Sequence, residues 1–189
     1  VVVDAKVVDK DVKLPEERKT SAETLEADTL EVLADLNHAS QKGLQTIFDS
    51  SVGRSTVNHP LGGRYQITPT EASVQKLPVQ HGVTHTASVM AQGFNPYVAE
   101  WSPYHGATYA VIEATARLVA AGANWSKARF SYQEYFERMD KQAERFGQPV
   151  AALLGSIEAQ IQLGLPSIGG KDSMSGTFEE LTVPPTLVA

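Results

Sequence analysis

The stretch Ser102–Gly122, SPYHGATYAVIEATARLVAAG, carries the strongest structural signal in the chain. Ser102 is a favourable N-cap and Pro103 a favourable first helical residue, because proline lacks the N–H that this position leaves unpaired. Apolar side chains then recur at three- and four-residue spacing and form one stripe: Ala107, Ala110, Val111, Ala114 and Leu118. Gly122 supplies a stop. The stretch predicts a helix with one buried face, which must pack against a second layer.

Toward the C-terminus, two further helices and a strand are predicted. Ser131–Glu134 has the pattern of a capping box, in which the Ser and Glu side chains satisfy free backbone N–H groups at a helix start. Gly147 and Pro149 predict a break before a second apolar stripe over Val150–Ile161. Leu181–Ala189 has strand character.

Toward the N-terminus, the sequence predicts shorter elements. Phe94–Trp101 is predicted to be an aromatic loop, which serves either as a stacking surface for a base or, as we favour, as packing against a neighbouring domain. Leu44–Gly93 is predicted to contain strands and loops, since Gly and Pro interrupt β-prone pieces such as Arg64–Thr68 and Val83–Met90.

The first 43 residues are predicted to precede the main domain, which then spans residues 44–189. Val1–Val12 is β-branched and predicted to be extended, and Pro15–Lys19 is a charged connector. Thr20–Glu23 forms another capping box, which predicts a helix that ends at Gly43. Strands, then helices, then a strand together predict an α+β domain with helices packed on one face of a sheet.

Composition narrows the class of protein. The 189 residues carry a net charge of -6 with no basic block, which argues against nucleic-acid binding. No apolar run approaches the length of a membrane span. The chain contains no cysteine, so it offers no disulfide, thiolate metal ligand or cysteine nucleophile. The N-terminus lacks the layout of a signal peptide, and both ends are expected to be cuts from a longer polypeptide.

Ser167–Gly176, SIGGKDSMSG, is the clearest candidate for an anion-binding segment. Glycines let the backbone approach a phosphate closely, and a lysine supplies the opposite charge. The spacing is not that of the phosphate loop, because a helix is predicted before the motif rather than after it. On residues alone, a turn that ends the preceding helix is the favoured alternative.

Two other pairs of residues suggest sites. His81 and His85 would lie on the same side of a strand, where a shared metal is one interpretation and two ordinary exposed histidines the preferred one. Glu113 and Arg117 are one helical turn apart in the order that favours an ion pair. On its own, this pair is predicted to be structural.

Several segments together resemble phosphoribosylformylglycinamidine synthase, the large glutamine-dependent type of purine biosynthesis. The Gly169–Ser175 stretch, GGKDSMS, is similar to a signature of that family. Three other stretches match it in combination: Phe48–Gly63, Glu100–Ala107 and Ser131–Met139. The resemblance implies an N-terminal domain of the second synthetase half, cut at its C-terminus. Its expected fold is that of the aminoimidazole ribonucleotide synthetase superfamily, α+β with a mostly antiparallel or mixed sheet and helices on one face.

The resemblance implies an ATP-dependent carbon–nitrogen ligase. The family activates the amide oxygen of formylglycinamide ribonucleotide with ATP, and ammonia released from glutamine by a separate glutaminase domain displaces it. The expected cofactors of the whole enzyme are ATP and Mg²⁺. The expected partners are the other domains of the same polypeptide in the cytoplasm, and the isolated fragment is expected to be inactive and to self-associate through uncovered sheet surface.

Residue by residue, the resemblance places Gly169–Ser173 at a nucleotide and substrate site. Gly170 would approach the ATP phosphates, Lys171 would replace part of a cation's charge, and Ser173 would hydrogen-bond the substrate. Asp172 has the weakest case and would orient Lys171.

The family's second, auxiliary nucleotide site holds magnesium with an Asp, a Glu and an Asn. Their counterparts here are His81, Glu113 and Arg117, of which only the glutamate is retained. The resemblance therefore implies a degenerate site, in which Arg117 stands in for the cation. The alternative to a catalytic contribution is a non-catalytic pseudo-half with a structural role. A free-standing nucleotide-binding or oligomerisation module is disfavoured, because both ends are expected to be cuts from a longer polypeptide.

Overall fold

The structure is a computed structural model, and it describes residues 2–7, 12–13, 16–17, 19–47 and 55–189. The helices are α1 (Leu25–Ala34), α2 (Lys42–Gln45), α3 (Pro96–Trp101), α4 (Pro103–Ala120) and α5 (Ala143–Leu163), with a 3₁₀ turn at Trp125–Lys127. The strands are β1 (Leu61–Gly62), β2 (Thr68–Pro69), β3 (Ala72–Lys76), β4 (Ala87–Ala91), β5 (Phe130–Tyr135), β6 (Ser167–Ser173), β7 (Thr177–Phe178), β8 (Leu181–Thr182) and β9 (Thr186–Val188). In this part of the chain, no helix combines the length and the apolar character that crossing a membrane requires.

Helix α4 confirms the prediction made from Ser102–Gly122. The Ser102 side chain accepts a hydrogen bond from the His105 N–H at 3.3 Å, and Pro103 is the first helical residue. The predicted stripe is buried along most of its length, and Val111 is fully buried. The N-cap and the apolar spacing were sufficient to define this helix because both are local.

A three-stranded mixed sheet lies beneath the helices in the order β6-β5-β9. Strand β5 pairs with β6 in parallel and with β9 in antiparallel fashion. The helix predicted at Ser131–Glu134 is wrong, because this segment is the central strand β5. Side chains of β5 alternate between buried and more exposed, with Phe130, Tyr132 and Glu134 buried. That alternation and the two flanking strands outweigh the capping-box pattern.

The break predicted at Gly147 and Pro149 is also wrong, since α5 runs through both residues. A Cβ atom at Gly147 would lie 1.7 Å from the carbonyl oxygen of Asp4, so the glycine permits contact with the N-terminal segment. Pro149 lacks the N–H of one intrahelical bond, at a typical cost of about 3 kcal/mol. It is buried, and the packing of α5 against α4 compensates for that cost.

The core lies between the helix pair and the sheet. Helices α4 and α5 approach closely because Gly155 of α5 lies against the backbone of Tyr104, and Thr108 donates a 3.2 Å hydrogen bond to the Gly155 carbonyl oxygen. Beneath them lies a cluster that includes Phe130, Tyr132, Phe136, Met139 and Leu187. The α+β class, with a mixed sheet and helices on one face, is therefore confirmed.

Strands β3 and β4 form an antiparallel hairpin beside this sheet. Just after β4, Gly93 and Ala189 exchange two backbone hydrogen bonds of 3.0 and 3.1 Å, which join the hairpin to the end of β9. The predicted strand Val83–Met90 is shorter than expected, as β4 begins only at Ala87. Of the predicted strand Arg64–Thr68, only Thr68 lies in a strand, since Gln66 has a φ of 51° within a turn.

The aromatic loop and the N-terminal helix differ from their predictions. The aromatic loop at Phe94–Trp101 contains the helix α3, capped by the Asn95 side chain, which accepts from two backbone N–H groups. The helix predicted to end at Gly43 is shorter: α1 begins after the Thr20–Glu23 pattern without a side-chain cap and ends at Ala34, and Gly43 lies inside the short helix α2. Residues 1, 8–11, 14–15, 18 and 48–54 are outside the described part of the chain, and these include parts of the predicted extended segment, the connector and the Phe48–Gly63 match.

Candidate functional site

The GGKDS residues form strand β6, where the residues alone had favoured a turn or a loop. β6 runs parallel to β5 and has a strand partner on that side alone among the described residues, so it is an edge of the sheet. The segment from Ser167 to Asp172 is exposed and Ser173 is half-buried. Parallel pairing with β5 requires a chain that returns after a helix, which α5 provides. The motif is therefore held on a regular element at an accessible edge.

The register divides the motif between two faces. Paired residues in a sheet share a face, and successive residues of a strand alternate. Gly170 and Asp172 pair with Tyr132 and Glu134, which point toward the helices. Lys171 and Ser173 pair with Gln133 and Tyr135, on the open face. The expectation that Asp172 orients Lys171 has no support in this geometry, since the two side chains leave the strand in opposite directions.

On the open face, Lys171 and Ser173 are available to a ligand. No described residue forms an ion pair with Lys171, and its backbone carbonyl oxygen accepts a 3.0 Å hydrogen bond from Gln133 Nε2. The Ser173 hydroxyl lies 3.1 Å from that of Ser175. An ammonium group and two hydroxyls therefore stand at one end of an exposed strand, an arrangement that can bind an anionic, hydrogen-bonding ligand.

On the helix face, Glu134 and Asp172 are neighbours across the two strands. Burial, and then the negative charge of Asp172, raises the pKa of the Glu134 carboxyl. Burial and the charge of Glu134 also raise the pKa of Tyr132, whose hydroxyl is buried and has no hydrogen-bond partner in the described part of the chain. A Cβ atom at Gly170 would lie 2.9 Å from the Tyr132 carbonyl oxygen, so close packing against β5 favours glycine at this position.

Glu113 and Arg117 form the predicted ion pair, with Arg117 Nη2 2.8 Å from Glu113 Oε1. Arg117 also contacts Glu71 Oε2 at 2.5 Å through Nε and donates a 2.7 Å hydrogen bond to the Gln92 carbonyl oxygen. The second Glu113 oxygen accepts the Phe94 N–H at 2.8 Å. This network ties α4 to the open end of the β3–β4 hairpin, where β3 begins and β4 ends.

His81 and His85 lie in the exposed connection between β3 and β4, outside any strand, so the reasoning that put them on the same side of a strand does not apply. Within the described residues, no group of three or more His, Cys, Asp or Glu side chains is arranged to hold a metal ion. Glu113 has both oxygens engaged and a guanidinium beside it. These residues do not fit a Mg²⁺ site, because a cation there would be repelled by Arg117.

The chain is related to known proteins by its fold. No protein-family model matches the chain, and no curated protein matches it. Among solved structures it is similar to PurLQS from Thermotoga maritima, with a TM-score of 0.63 and 20% identity over 79% of this chain. PurL from the same organism, solved with AMPPCP, gives a TM-score of 0.62 and 19% identity over 82% of this chain. This chain has the PurL fold.

Phosphoribosylformylglycinamidine synthase II from T. maritima also matches, with a TM-score of 0.52 over 63% of this chain. The predicted resemblance is thus confirmed at the level of fold. The matches cover only 23% and 24% of the PurLQS and AMPPCP-bound PurL chains, so this chain corresponds to about a quarter of their length. T. maritima PurL has also been solved in complex with ATP and with ADP, and these ligands are those of that protein.

Sequence reasoning missed the residues that connect the motifs to the fold. Glu71 and Gln92 hold Arg117, yet they are far from it in the sequence and carry no local signal of the contact. Strand β5 did carry a signal, the alternation of Phe130, Tyr132 and Glu134 with more exposed residues. Counted against the capping-box pattern, that period of two would have indicated the strand.

Proposed function

We propose that this chain is a synthetase-type domain of a phosphoribosylformylglycinamidine synthase, and that β6 contributes Lys171 and Ser173 to a site shared with other domains of that enzyme. The enzyme would amidate formylglycinamide ribonucleotide in cytoplasmic purine biosynthesis. The observation that carries the proposal is the placement of GGKDS on an exposed edge strand, within a fold shared with PurL.

The chemistry of the open face supports a binding contribution rather than a proton-transfer one. ATP, when bound, would activate the substrate's amide oxygen as a leaving group. The Lys171 ammonium would offset negative charge on a phosphate, and the Ser173 hydroxyl would donate or accept a hydrogen bond to the substrate. Because both side chains are mounted on one strand, their spacing would be set by the backbone, which limits the cost of positioning them.

The test is ammonia-dependent ATP turnover by the full-length enzyme carrying Lys171→Ala or Ser173→Ala. Supplying ammonia directly bypasses the glutaminase, so the synthetase site alone is measured. We expect turnover to fall by about 100-fold, equivalent to about 2.7 kcal/mol of transition-state stabilisation. Near-normal turnover in both folded variants would reject the proposal.

The matched controls are Lys127→Ala and Ser167→Ala. Lys127 is an exposed lysine in the 3₁₀ turn, and Ser167 is an exposed serine at the opposite end of β6. Both should retain turnover within about threefold. A comparable loss in Ser167→Ala would indicate that the strand as a whole, rather than its C-terminal end, is sensitive to substitution.

The second candidate is a non-catalytic pseudo-half with a degenerate auxiliary site. The specific observation that favours it is the engagement of Glu113 by both Arg117 and the Phe94 N–H. Under this proposal Arg117 takes the place of a cation and the domain serves to hold the hairpin and neighbouring domains. Magnesium-dependent retention of ADP by this half of the full-length enzyme would contradict it.

A further inference from the structure

We propose that Gln133 is a positioning residue for Lys171, because its side-chain amide holds the edge strand β6 against the central strand β5 at the residue that presents the ammonium group. The inference rests on the proposed function, since it adds Gln133 to the site formed by Lys171 and Ser173. Gln133 Nε2 donates a 3.0 Å hydrogen bond to the Lys171 carbonyl oxygen across the two strands. Among the described residues, no other side chain of β5 bonds to the backbone of β6.

The contact lies just after the least constrained part of β6. The pairing with β5 shifts register at the start of the motif, so that Ile168 has no partner between Ser167 and Gly169. Gly169 has a φ of 157°, a conformation that glycine adopts readily, and a second glycine, Gly170, follows it. An irregularity in the ladder and two glycines leave this edge strand with few local constraints on its direction.

Beyond this irregularity, two donors of β5 reach the same carbonyl group. Phe136 donates to the Ser173 carbonyl oxygen. Because bonding direction alternates along a strand, the Glu134 N–H faces the Lys171 carbonyl oxygen in the same way. A carbonyl oxygen has two lone pairs, so it can accept the Gln133 amide as well. The peptide group that follows Lys171 is therefore held from two directions by one strand.

Glutamine suits this position because it donates a hydrogen bond without carrying a charge. Gln133 and Lys171 pair across the strands, and their side chains share the open face. A second cationic side chain there would repel the Lys171 ammonium, and a carboxylate would attract it away from a ligand. A carbonyl oxygen can only accept, so the NH₂ end of the Gln133 amide must be the end that faces it.

Holding the backbone matters because β6 has no second strand to support it within the described residues. Lys171 is exposed, and its long side chain loses conformational freedom when it contacts a ligand. If the backbone is already fixed, only the side chain remains to be ordered, which lowers the cost of forming the contact. Small displacements of a group that contacts the transition state lower the reaction rate strongly.

Two other roles for Gln133 compete with positioning. One is a contribution to stability alone, and the other is direct contact with the ligand through the amide oxygen. Both predict that substitution of Gln133 has the same effect whether or not the Lys171 ammonium is present. Positioning predicts that the effect disappears without it, because Gln133 then has no group to hold in place.

The test is a double-mutant cycle in ammonia-dependent ATP turnover by the full-length enzyme. Gln133→Met keeps the length of the side chain and removes the donor. We expect it to lower kcat by about 10-fold and to leave KM for ATP within about threefold, because a displaced ammonium weakens a contact made in the transition state. In the Lys171→Ala background, the same substitution should lower kcat by less than about twofold.

The matched control is Gln160→Met. Gln160 Nε2 also donates to a backbone carbonyl oxygen, that of Ser156 at 3.1 Å, but it lies on α5. Its kcat should stay within about twofold of the unmodified enzyme. Amide hydrogen exchange at Lys171, whose N–H faces β5, gives a readout that does not depend on turnover. Gln133→Met should speed this exchange by about 10-fold, and Gln160→Met should leave it unchanged.

The outcomes separate this inference from the proposed function. A Gln133→Met loss of equal size in both backgrounds would overturn positioning, and so would unchanged exchange at Lys171. A large loss in Lys171→Ala together with normal turnover in Gln133→Met would reject the role of Gln133 alone. Near-normal turnover in Lys171→Ala would reject the proposed contribution of Lys171, and this inference with it.

Discussion

Lys171 and Asp172 are adjacent in β6, and their side chains lie on opposite faces of the sheet. Lys171 shares the open face with Gln133, and Asp172 shares the helix face with Glu134. A motif that is continuous in the sequence is therefore divided between two faces of the sheet. One half lies on the open face, and the other lies on the face that β5 turns toward the helices, where Asp172 is itself exposed at the edge of the sheet.

This division predicts different effects for the two substitutions in the full-length enzyme. Asp172→Asn should keep ammonia-dependent ATP turnover within about threefold of the unmodified enzyme, since its side chain is directed away from the open face. Lys171→Ala should lower the same turnover by about 100-fold, because its ammonium group lies on the open face. If Asp172→Asn proved as damaging as Lys171→Ala, the assignment of the open face to the ligand would be wrong.

Glu134 should make stability depend on pH. Its pKa is raised in the folded chain by burial and by Asp172. The folded state thus binds the proton more tightly than the unfolded state, and the contribution to stability is full below the unfolded value of about 4.3 and is lost as the pH rises through the folded value. Glu134→Gln should therefore unfold at a higher urea concentration than the unmodified chain at pH 8, and at a similar one at pH 3.5.

The control for this experiment is Glu180→Gln, at an exposed position in the turn between β7 and β8. Its urea midpoint should follow that of the unmodified chain at both pH values. A Glu134→Gln variant that is destabilised at pH 8 and unchanged at pH 3.5 would contradict this prediction, because it would show that the ionised carboxylate makes a net favourable contact.

Arg117→Met should weaken the attachment of the hairpin to α4. The substitution keeps the aliphatic stem and removes the contacts to Glu71, Glu113 and the Gln92 carbonyl oxygen. We expect the free energy of unfolding to fall by about 1–2 kcal/mol, because the ion pairs are partly exposed and the hydrogen bond to Gln92 is charge-assisted. Urea unfolding measures the loss.

Arg129→Met is the matched substitution. Arg129 is exposed, and its guanidinium donates to the carbonyl oxygen of the preceding residue, Ala128. A change below about 0.5 kcal/mol is expected there. Equal losses in the two variants would argue against a specific role for the Arg117 network.

Gly155→Ala should destabilise the chain although alanine is the better helix former. The added Cβ would lie 2.0 Å from the Tyr104 carbonyl oxygen, so α4 and α5 would have to separate. Overpacking of this kind outweighs the gain in helix propensity of up to about 1 kcal/mol, and we expect a net loss of about 1–3 kcal/mol in thermal or urea unfolding.

Gly43→Ala provides the contrast, because Gly43 is in the short helix α2 and an added Cβ would have nothing within 4 Å. This variant should be neutral or slightly more stable. A stabilised Gly155→Ala chain would mean that the two helices pack less tightly than the structure indicates.

Elements with local signals could be predicted from the order of the amino acids. Helix α4 followed from its N-cap and its apolar stripe, and the Glu113–Arg117 pair from a four-residue spacing on that helix. The α+β class and the resemblance at the level of fold could also be predicted. For the helix and the ion pair, the residues that carry the signal are within a few positions of one another, whereas the fold class and the resemblance used segments spread along the chain.

The conformation of segments with distant partners could not be predicted in this way, because it depends on the folded arrangement. Ser131–Glu134 matches a helix start in isolation, and it becomes a strand because β6 and β9 satisfy its backbone from both sides. Pro149 remains inside α5 because α4 packs against that helix. The separation of Lys171 from Asp172 follows from the pairing of β6 with β5. Pairing and packing energies depend on residues far apart in the sequence, and they exceed the small local preferences from which the sequence was interpreted.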